Sequence, residues 1–190
     1  SQQAIDLSIE TDKDSKLVQL ILNESKEVVR YRKGVLVVEN ILGLIHANAG
    51  IDRSNIKSDS DNPRVLLLPL DPDKSATEIR KEILKKTQKK VGVIINDSSG
   101  RAWRNGIVGI AIGSSGAEVL SDLKGNLDLF GNTLEVTEVG KADEVASAAS
   151  LLMGQGKEAL PVVVLKGLTE SGDLNGAKAL IRKPSEDLFR

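Results

Sequence analysis

Hydrophobic and polar positions first fall into a helical rhythm near the start of the chain. In DSKLVQLILNESKEVV, residues 14–29, Leu17, Leu20, Ile21 and Val28 recur at helical spacing, and Asp14 or Ser15 can cap the first turn. VLVV from Val35 reads as a strand, and ILGLIHA as a second strand or its continuation. SDSDNPR, 58–64, is a polar surface loop. VLLLPL from Val65 is a short apolar run that stops at DPDKS, a turn containing Pro72. Ser75 and Glu78 have capping-box spacing, ahead of a helix in ATEIRKEILKKTQKK with Ile79, Ile83 and Leu84 on one face. VGVIIN, 91–96, is the clearest buried strand. Glycine-rich NGIVGIAIGSSG follows, then a second helical stretch, AEVLSDLK. TLEVTEV, 133–139, alternates like a half-exposed strand. ADEVASAASLLM, 142–153, is a small-residue helix, and VVVLKGL, 162–168, a last strand before a polar tail from Thr169. Strands and helices mix without strict alternation. The pattern predicts an α+β domain with a substantial mixed or antiparallel sheet and packed helices.

Composition narrows the function classes. The chain has 190 residues, enough for one domain with its own core. A net charge of -1 gives no basic footprint for nucleic acid, and 2% aromatics give no platform for stacking single-stranded bases. No apolar run approaches the roughly 20 residues of a membrane span, and no signal-peptide pattern opens the chain. The chain has no cysteine and one histidine, His46. Disulfides, thiolate sites and histidine pairs are thereby excluded. Any metal ligands must be mainly oxygen, which favours magnesium, manganese or calcium.

Three stretches can carry chemistry. HANAGIDRSN, 46–55, places Asp52 and Asn55 after small residues that let a ligand approach the backbone; its simpler reading is an Asx turn. INDSSGRAWRNG, 95–106, sets Asp97 just beyond a buried strand, followed by Ser98, Ser99, Arg101 and Arg104. A carboxylate, a hydroxyl and two guanidinium groups together suit a cation and phosphate oxygens. Trp103 is read as core or interface. LLMGQGKEALPVVV, 151–164, has a Gly154–Gln155–Gly156–Lys157 loop, which is either a helix C-cap with a turn or a phosphate loop of backbone N–H groups and Lys157. There is no G-x-x-x-x-G-K-[ST]. GIAIGSSG, 109–116, does not match G-x-G-x-x-G and points to tight packing or a turn. Taken together, these residues are a kit for metal-assisted chemistry on phosphates.

In this order, HANAGIDRSN, LLLPLDPDKSATEIRKEI, VGVIINDSSGRAWRNGIVGIAIGSSG, LDLFGNTLEVTEVGKADEVASAASLLMGQG and PVVVLKGL resemble the coenzyme F420-0:L-glutamate ligase (gamma-glutamyl ligase) family. The resemblance runs from about Leu17 to the C-terminus. It implies a gamma-glutamyl ligase-like α+β fold. It further implies an archaeal or bacterial cytoplasmic homodimer that adds L-glutamate to the deazaflavin precursor F420-0 with GTP, without nucleic acid or membrane partners. Two divalent cations, magnesium or manganese, are implied, with potassium as a further candidate. The implied route passes through an acyl phosphate. Carried over to this sequence, Asp52 and Asp97 are metal ligands, and Ser98 stands where the family usually has threonine and serves the second metal. Gln155, where many members have glutamate, is also a metal ligand. Asn55 and the loop Gly154, Gln155, Gly156, Lys157, Glu158 and Ala159 contact GTP. Asp97 and Arg101 are the implied catalytic residues, and Arg104 joins Arg101 in phosphate or substrate contacts. Gln88 stands where glycine is usual. Residues 1–190 are expected to form a single unit matching the central and C-terminal part of such a ligase, with the usual N-terminal segment missing. The helix face at 17–21 and the helix at 142–153 are then expected to cover surface facing that segment or a partner chain. Two further readings stand beside the ligase: a non-catalytic dimeric binder of nucleotide or F420-like ligands, and a metal-dependent phosphohydrolase using Asp97, Ser98 and Arg101.

Overall fold

α1 (Gln2–Thr11) and α2 (Ser15–Asn23) open the chain, followed by a three-stranded antiparallel sheet of β1 (Ser25–Arg32), β2 (Val35–Asn40) and β3 (Ile45–Ala47) in that order. The computed structural model describes residues 1–59, 63–168 and 175–189. Parts of the predicted 58–64 loop and of the polar tail lie outside these residues. Two compact units divide the chain. The first comprises Ser1–Leu70, Ser99–Ile107 and Lys183–Arg190, the second Asp71–Ser98 and Val108–Arg182.

The first unit corrects the opening of the sequence reading. α1 carries no plain apolar stripe in the sequence, because Ile5 and Ile9 point outward while Ala4, Leu7 and Thr11 form the buried face. Ser1 caps α1 by accepting the Ala4 N–H, and Thr11 Oγ1 donates to Leu7 O at 2.6 Å. α2 begins as expected, with Asp14 accepting the Leu17 N–H at 3.0 Å. It ends at Asn23, not Val29. Val28 faces Val38 in a β-ladder, and Tyr31 faces Leu36. Lys33 and Gly34 (φ 85°) form the two-residue turn between β1 and β2. The strand partner overrides the weak helical pattern of SKEVV. Asn40 then reverses the chain: its Oδ1 accepts the N–H groups of Leu42 and Leu44, each at 3.0 Å. ILGL is therefore a turn, and only Ile45–Ala47 returns as a strand. Val18, Ile21, Leu36 and Val38, all fully buried, form the core with Ala4, Leu7 and Ala49. The helix face at 17–21 is thus covered by its own chain. VLLLPL is not a strand: among the described residues its pairing is a bridge from Leu66 to Asp52.

The second unit starts with α3 (Pro72–Thr87). DPDKS is the helix start, not a turn. Asp71 accepts the Lys74 N–H at 3.0 Å, and Pro72 occupies the first turn, where its missing N–H is harmless. The Ser75–Glu78 capping box is therefore not used; Ser75 Oγ donates back to Asp71 O at 3.1 Å. Pro72 and Ala76 are buried, whereas Ile79 and Leu84 are exposed, so the expected apolar face is not the packed one. Gln88 caps the helix in the left-handed region (φ 56°), a conformation that favours glycine.

β4 (Val93–Arg101) and β5 (Arg104–Ser115) form a hairpin. AEVLSDLK is not helical: Val119 is buried, and β6 (Ser121–Asp122) pairs antiparallel with β7 (Glu138–Val139) in TLEVTEV, whose Thr133 forms an isolated bridge to Leu127. α4 (Lys141–Met153) matches its prediction. Its Ala142 and Ala146 are buried with Ala111 and Val119, so this small-residue face also packs within the chain. No strand forms over 162–168 among the described residues. The architecture is α+β, with small antiparallel sheets in place of one substantial sheet. GIAIGSSG serves tight packing, since a Cβ on Gly113 would overlap the Pro72 backbone.

Candidate functional site

In the first unit, HANAGIDRSN leaves β3 through a 3-10 turn, Asn48–Gly50. Its small residues admit the chain itself: a Cβ on Gly50 would come within 2.7 Å of Leu68 Cδ1 and 3.0 Å of His46 Nδ1. His46 is buried on β3 opposite Val38. Asp52 is exposed and exchanges backbone hydrogen bonds with Leu66 at 2.9 and 3.0 Å. Its Oδ1 accepts the Ser54 hydroxyl at 2.6 Å and the Ser54 N–H at 2.7 Å. The Ser54 hydroxyl, helped by backbone N–H groups, holds the Asp52 carboxyl below the usual range against a smaller opposing effect of burial. The local geometry is the Asx turn of the simpler reading, and its hydrogen bonds favour the charged form of the carboxylate. Asn55 is exposed three residues on, with φ 52°.

The hairpin tip also belongs to the first unit. Arg101 and Arg104 are exposed, and Arg101 Nη2 donates to Asn105 O at 3.2 Å. Trp103 is 88% exposed and in the left-handed region, φ 62°. This corrects its reading as core. Its ring meets Phe189 at a centroid distance of 6.5 Å and a tilt of 56°.

In the second unit, Asp97 lies inside β4 rather than beyond it. Alternation along the strand projects Ile94, Asn96 and Ser98 from one face and Asp97 from the other. The first face is covered by α4. Ile94 packs on the cluster containing Ala142 and Ala146, and Asn96 Nδ2 donates to Ala146 O at 3.2 Å and Ser150 Oγ at 3.0 Å. Ser98 is exposed, two positions beyond Asn96 on that face. α4 runs in the same direction as β4: Asp143 bonds Ala111, Ser147 bonds Gly109, and Met153 reaches Asn96. The loop after α4 therefore starts on the Ser98 side.

That loop is closed by its own acid. Glu158 Oε2 accepts the Gly156 N–H at 2.8 Å, and its carboxylate sits where a Cβ on Gly154 would be. Gly154 (φ 71°) is the C-cap of α4, and Ala159 also has positive φ, 54°. Gln155, Lys157 and Glu158 are exposed. A backbone N–H that already takes a carboxylate has the polarity to take a phosphate oxygen.

Among the described residues, no group of three His, Asp or Glu side chains is clustered for a metal. The implied donors are instead Asp52, Asp97, Ser98 and Gln155: carboxylate, hydroxyl and amide oxygens. Such hard donors fit magnesium or manganese. Asp97 and Ser98 project from opposite strand faces, which suits separate cations better than one shared shell.

Three polar residues escaped the sequence reading. Asp73 Oδ1 accepts the N–H groups of Ser114 and Ala177, each at 2.8 Å. Asp143 Oδ1 accepts the Ala111 N–H at 2.8 Å; burial raises its carboxyl above the ordinary range, partly offset by that hydrogen bond. Asn96 is the third. Acidic residues in the first turns of α3 and α4 were the available signal for the two aspartates.

The sequence profile described as F420-0:Gamma-glutamyl ligase matches residues 1–167. A coenzyme F420:L-glutamate ligase of Methanocaldococcus jannaschii is 48% identical over 190 residues, covering 100% of this chain and 74% of the relative. The protein of that name from Methanopyrus kandleri is 43% identical over 188 residues, 97% of this chain and 73% of the relative. The one from Archaeoglobus fulgidus is 43% identical over 190 residues, 100% of this chain and 74% of the relative.

Proposed function

Because the chain belongs to the F420-0:gamma-glutamyl ligase family, we propose that it joins L-glutamate to coenzyme F420-0 through an amide bond, using GTP. The observation that carries this reading is the 48% identity to an F420:L-glutamate ligase across all 190 residues. In the proposed route the F420-0 carboxylate attacks the terminal phosphorus of GTP and displaces GDP. The glutamate amine then attacks the acyl phosphate carbonyl, phosphate leaves, and the amine loses a proton. Activation is needed because a free carboxylate is a poor acyl donor, whereas phosphate is a good leaving group.

The residues divide the work. Asp97, Ser98 and Gln155 in the second unit, and Asp52 in the first, would each offer an oxygen to a divalent cation. Bound magnesium or manganese would neutralise phosphate oxygens as charge moves toward the leaving group. The N–H groups of 154–159 and Lys157 receive the GTP phosphates, which requires Glu158 to swing off Gly156. Asn55 contacts the nucleotide. Arg101 and Arg104 offer fork-shaped donors to phosphate or carboxylate oxygens. Gln155 supplies a neutral oxygen, so its cation is held less tightly than by a carboxylate. Potassium as a further cation, a homodimeric state and a cytoplasmic location belong to the same proposal. Among the described residues no helix is long and apolar enough to cross a membrane.

The test is phosphate release measured with components omitted one at a time. The ligase reading expects release only when GTP, manganese, F420-0 and glutamate are all present. Release that needs neither F420-0 nor glutamate would replace it with a phosphohydrolase.

A further inference from the structure

Asn96 has no part in the proposed chemistry, and its surroundings are unfavourable for stability alone. Its Nδ2 donates to Ala146 O at 3.2 Å and Ser150 Oγ at 3.0 Å, and lies 3.5 Å from Met153 Sδ. Its Oδ1 is buried without a hydrogen-bond partner. Leaving a buried acceptor unmade costs about 1–3 kcal/mol, and asparagine is a poor strand former. The two residues before it, Ile94 and Ile95, are apolar, and those after it, from Asp97, are polar. An apolar side chain at 96 would remove the orphan oxygen and suit the strand better. The amide's contribution lies in its two directed Nδ2 bonds to α4 rather than in apolar packing.

What it secures is registry between two chain segments. Its partners lie on the last turns of α4, and Met153 is the final helical residue before the Gly154 loop. On the strand, Ser98 is two residues further along the same face. Gly109 keeps this contact close, because a Cβ there would overlap Ser150 Oγ and approach Asn96 Oδ1 within 2.7 Å. One amide thus ties the end of a helix to a strand just before each delivers its candidate ligand groups.

We propose that Asn96 is a positioning residue: it holds the 154–159 loop at a fixed offset from Ser98, so that both engage the phosphate end of a metal-bound nucleoside triphosphate. This rests on the ligase reading above. A buried polar network with two discrete partners fixes geometry where apolar contacts would let the helix end slide.

The test is calorimetric titration of manganese–GTP into wild type, Asn96→Val, Ser150→Ala and the double variant, with thermal midpoints recorded for each. Asn96→Val is expected to keep or raise the midpoint while weakening manganese–GTP binding about tenfold, the scale of effects from residues that orient ligands. KM for glutamate should stay unchanged. Ser150→Ala should weaken binding in the same direction by less, and the double variant should be no worse than Asn96→Val, because both break one clasp. A folded Asn96→Val chain that binds manganese–GTP like wild type overturns the proposal. If Asn96→Val does not fold, unchanged binding by Ser150→Ala overturns it instead. Wild type that binds no manganese–GTP would overturn the nucleotide reading itself, a result separable from a variant with unchanged affinity.

Discussion

The carboxylate of Asp73, in the first turn of α3, accepts the N–H of Ala177, 104 residues further along the chain, at 2.8 Å. The same oxygen accepts the Ser114 N–H, so one side chain joins the helix start, β5 and the 3-10 turn Ala177–Leu180. Gly176 lets the turn approach, since a Cβ there would overlap the carboxylate. Asp73→Ala removes two charge-assisted bonds and leaves two N–H groups unmatched. The expected loss is about 3 kcal/mol, read as a lower urea midpoint with an unchanged slope. A shift within error would show that water replaces the carboxylate.

Gly109 is the second packing constraint. Gly109→Ala would overlap Ser150 Oγ and crowd Ala146 O and Asn96 Oδ1. Overpacking of this kind destabilises by about 1–3 kcal/mol. Adding Ser150→Ala should recover part of that loss, which thermal unfolding of the single and double variants can measure.

Asp143 gives a pH signature. Burial raises its carboxyl, so the folded chain binds that proton more tightly than the unfolded chain does. The linkage favours the folded state below the unfolded pKa and is lost as pH rises through the raised folded value. Asp143→Asn keeps an oxygen for the Ala111 N–H and removes the titration. Relative to this variant, wild type should lose stability between acid and neutral pH in denaturant titrations. A constant difference across that range would show that Asp143 does not titrate differently on folding.

If Asp97 serves the proposed chemistry, its substitution separates activity from fold. It sits within β4, so the isosteric Asp97→Asn is the cleaner variant and should move the thermal midpoint little. Product formation should fall by roughly 10²–10³, the scale for removing one charge-stabilising group at a reacting centre. Retained turnover would remove Asp97 from the active site.

Legibility followed how local each cause was. α4, the start of α2 and β2 could be read because capping residues or apolar spacing determine them within a few residues. β1 could not, because only pairing with β2 makes SKEVVRYR a strand. α1 was hidden by the outward Ile5 and Ile9, and the start of α3 by a proline that reads equally as a turn. Of the candidate ligand groups, Asp97, Ser98 and the Gly154 loop were nameable from residue type and resemblance alone. Asn96 and Asp73 could not, because their partners are 50 and 104 residues away.

The most direct measurement of the central claim is mass spectrometry of F420-0 incubated with the chain, GTP, manganese and L-glutamate. The account predicts a product heavier by one or more glutamyl residues, absent when GTP is omitted and strongly reduced with Asp97→Asn. Unchanged F420-0 in the presence of folded protein and all co-substrates would contradict it.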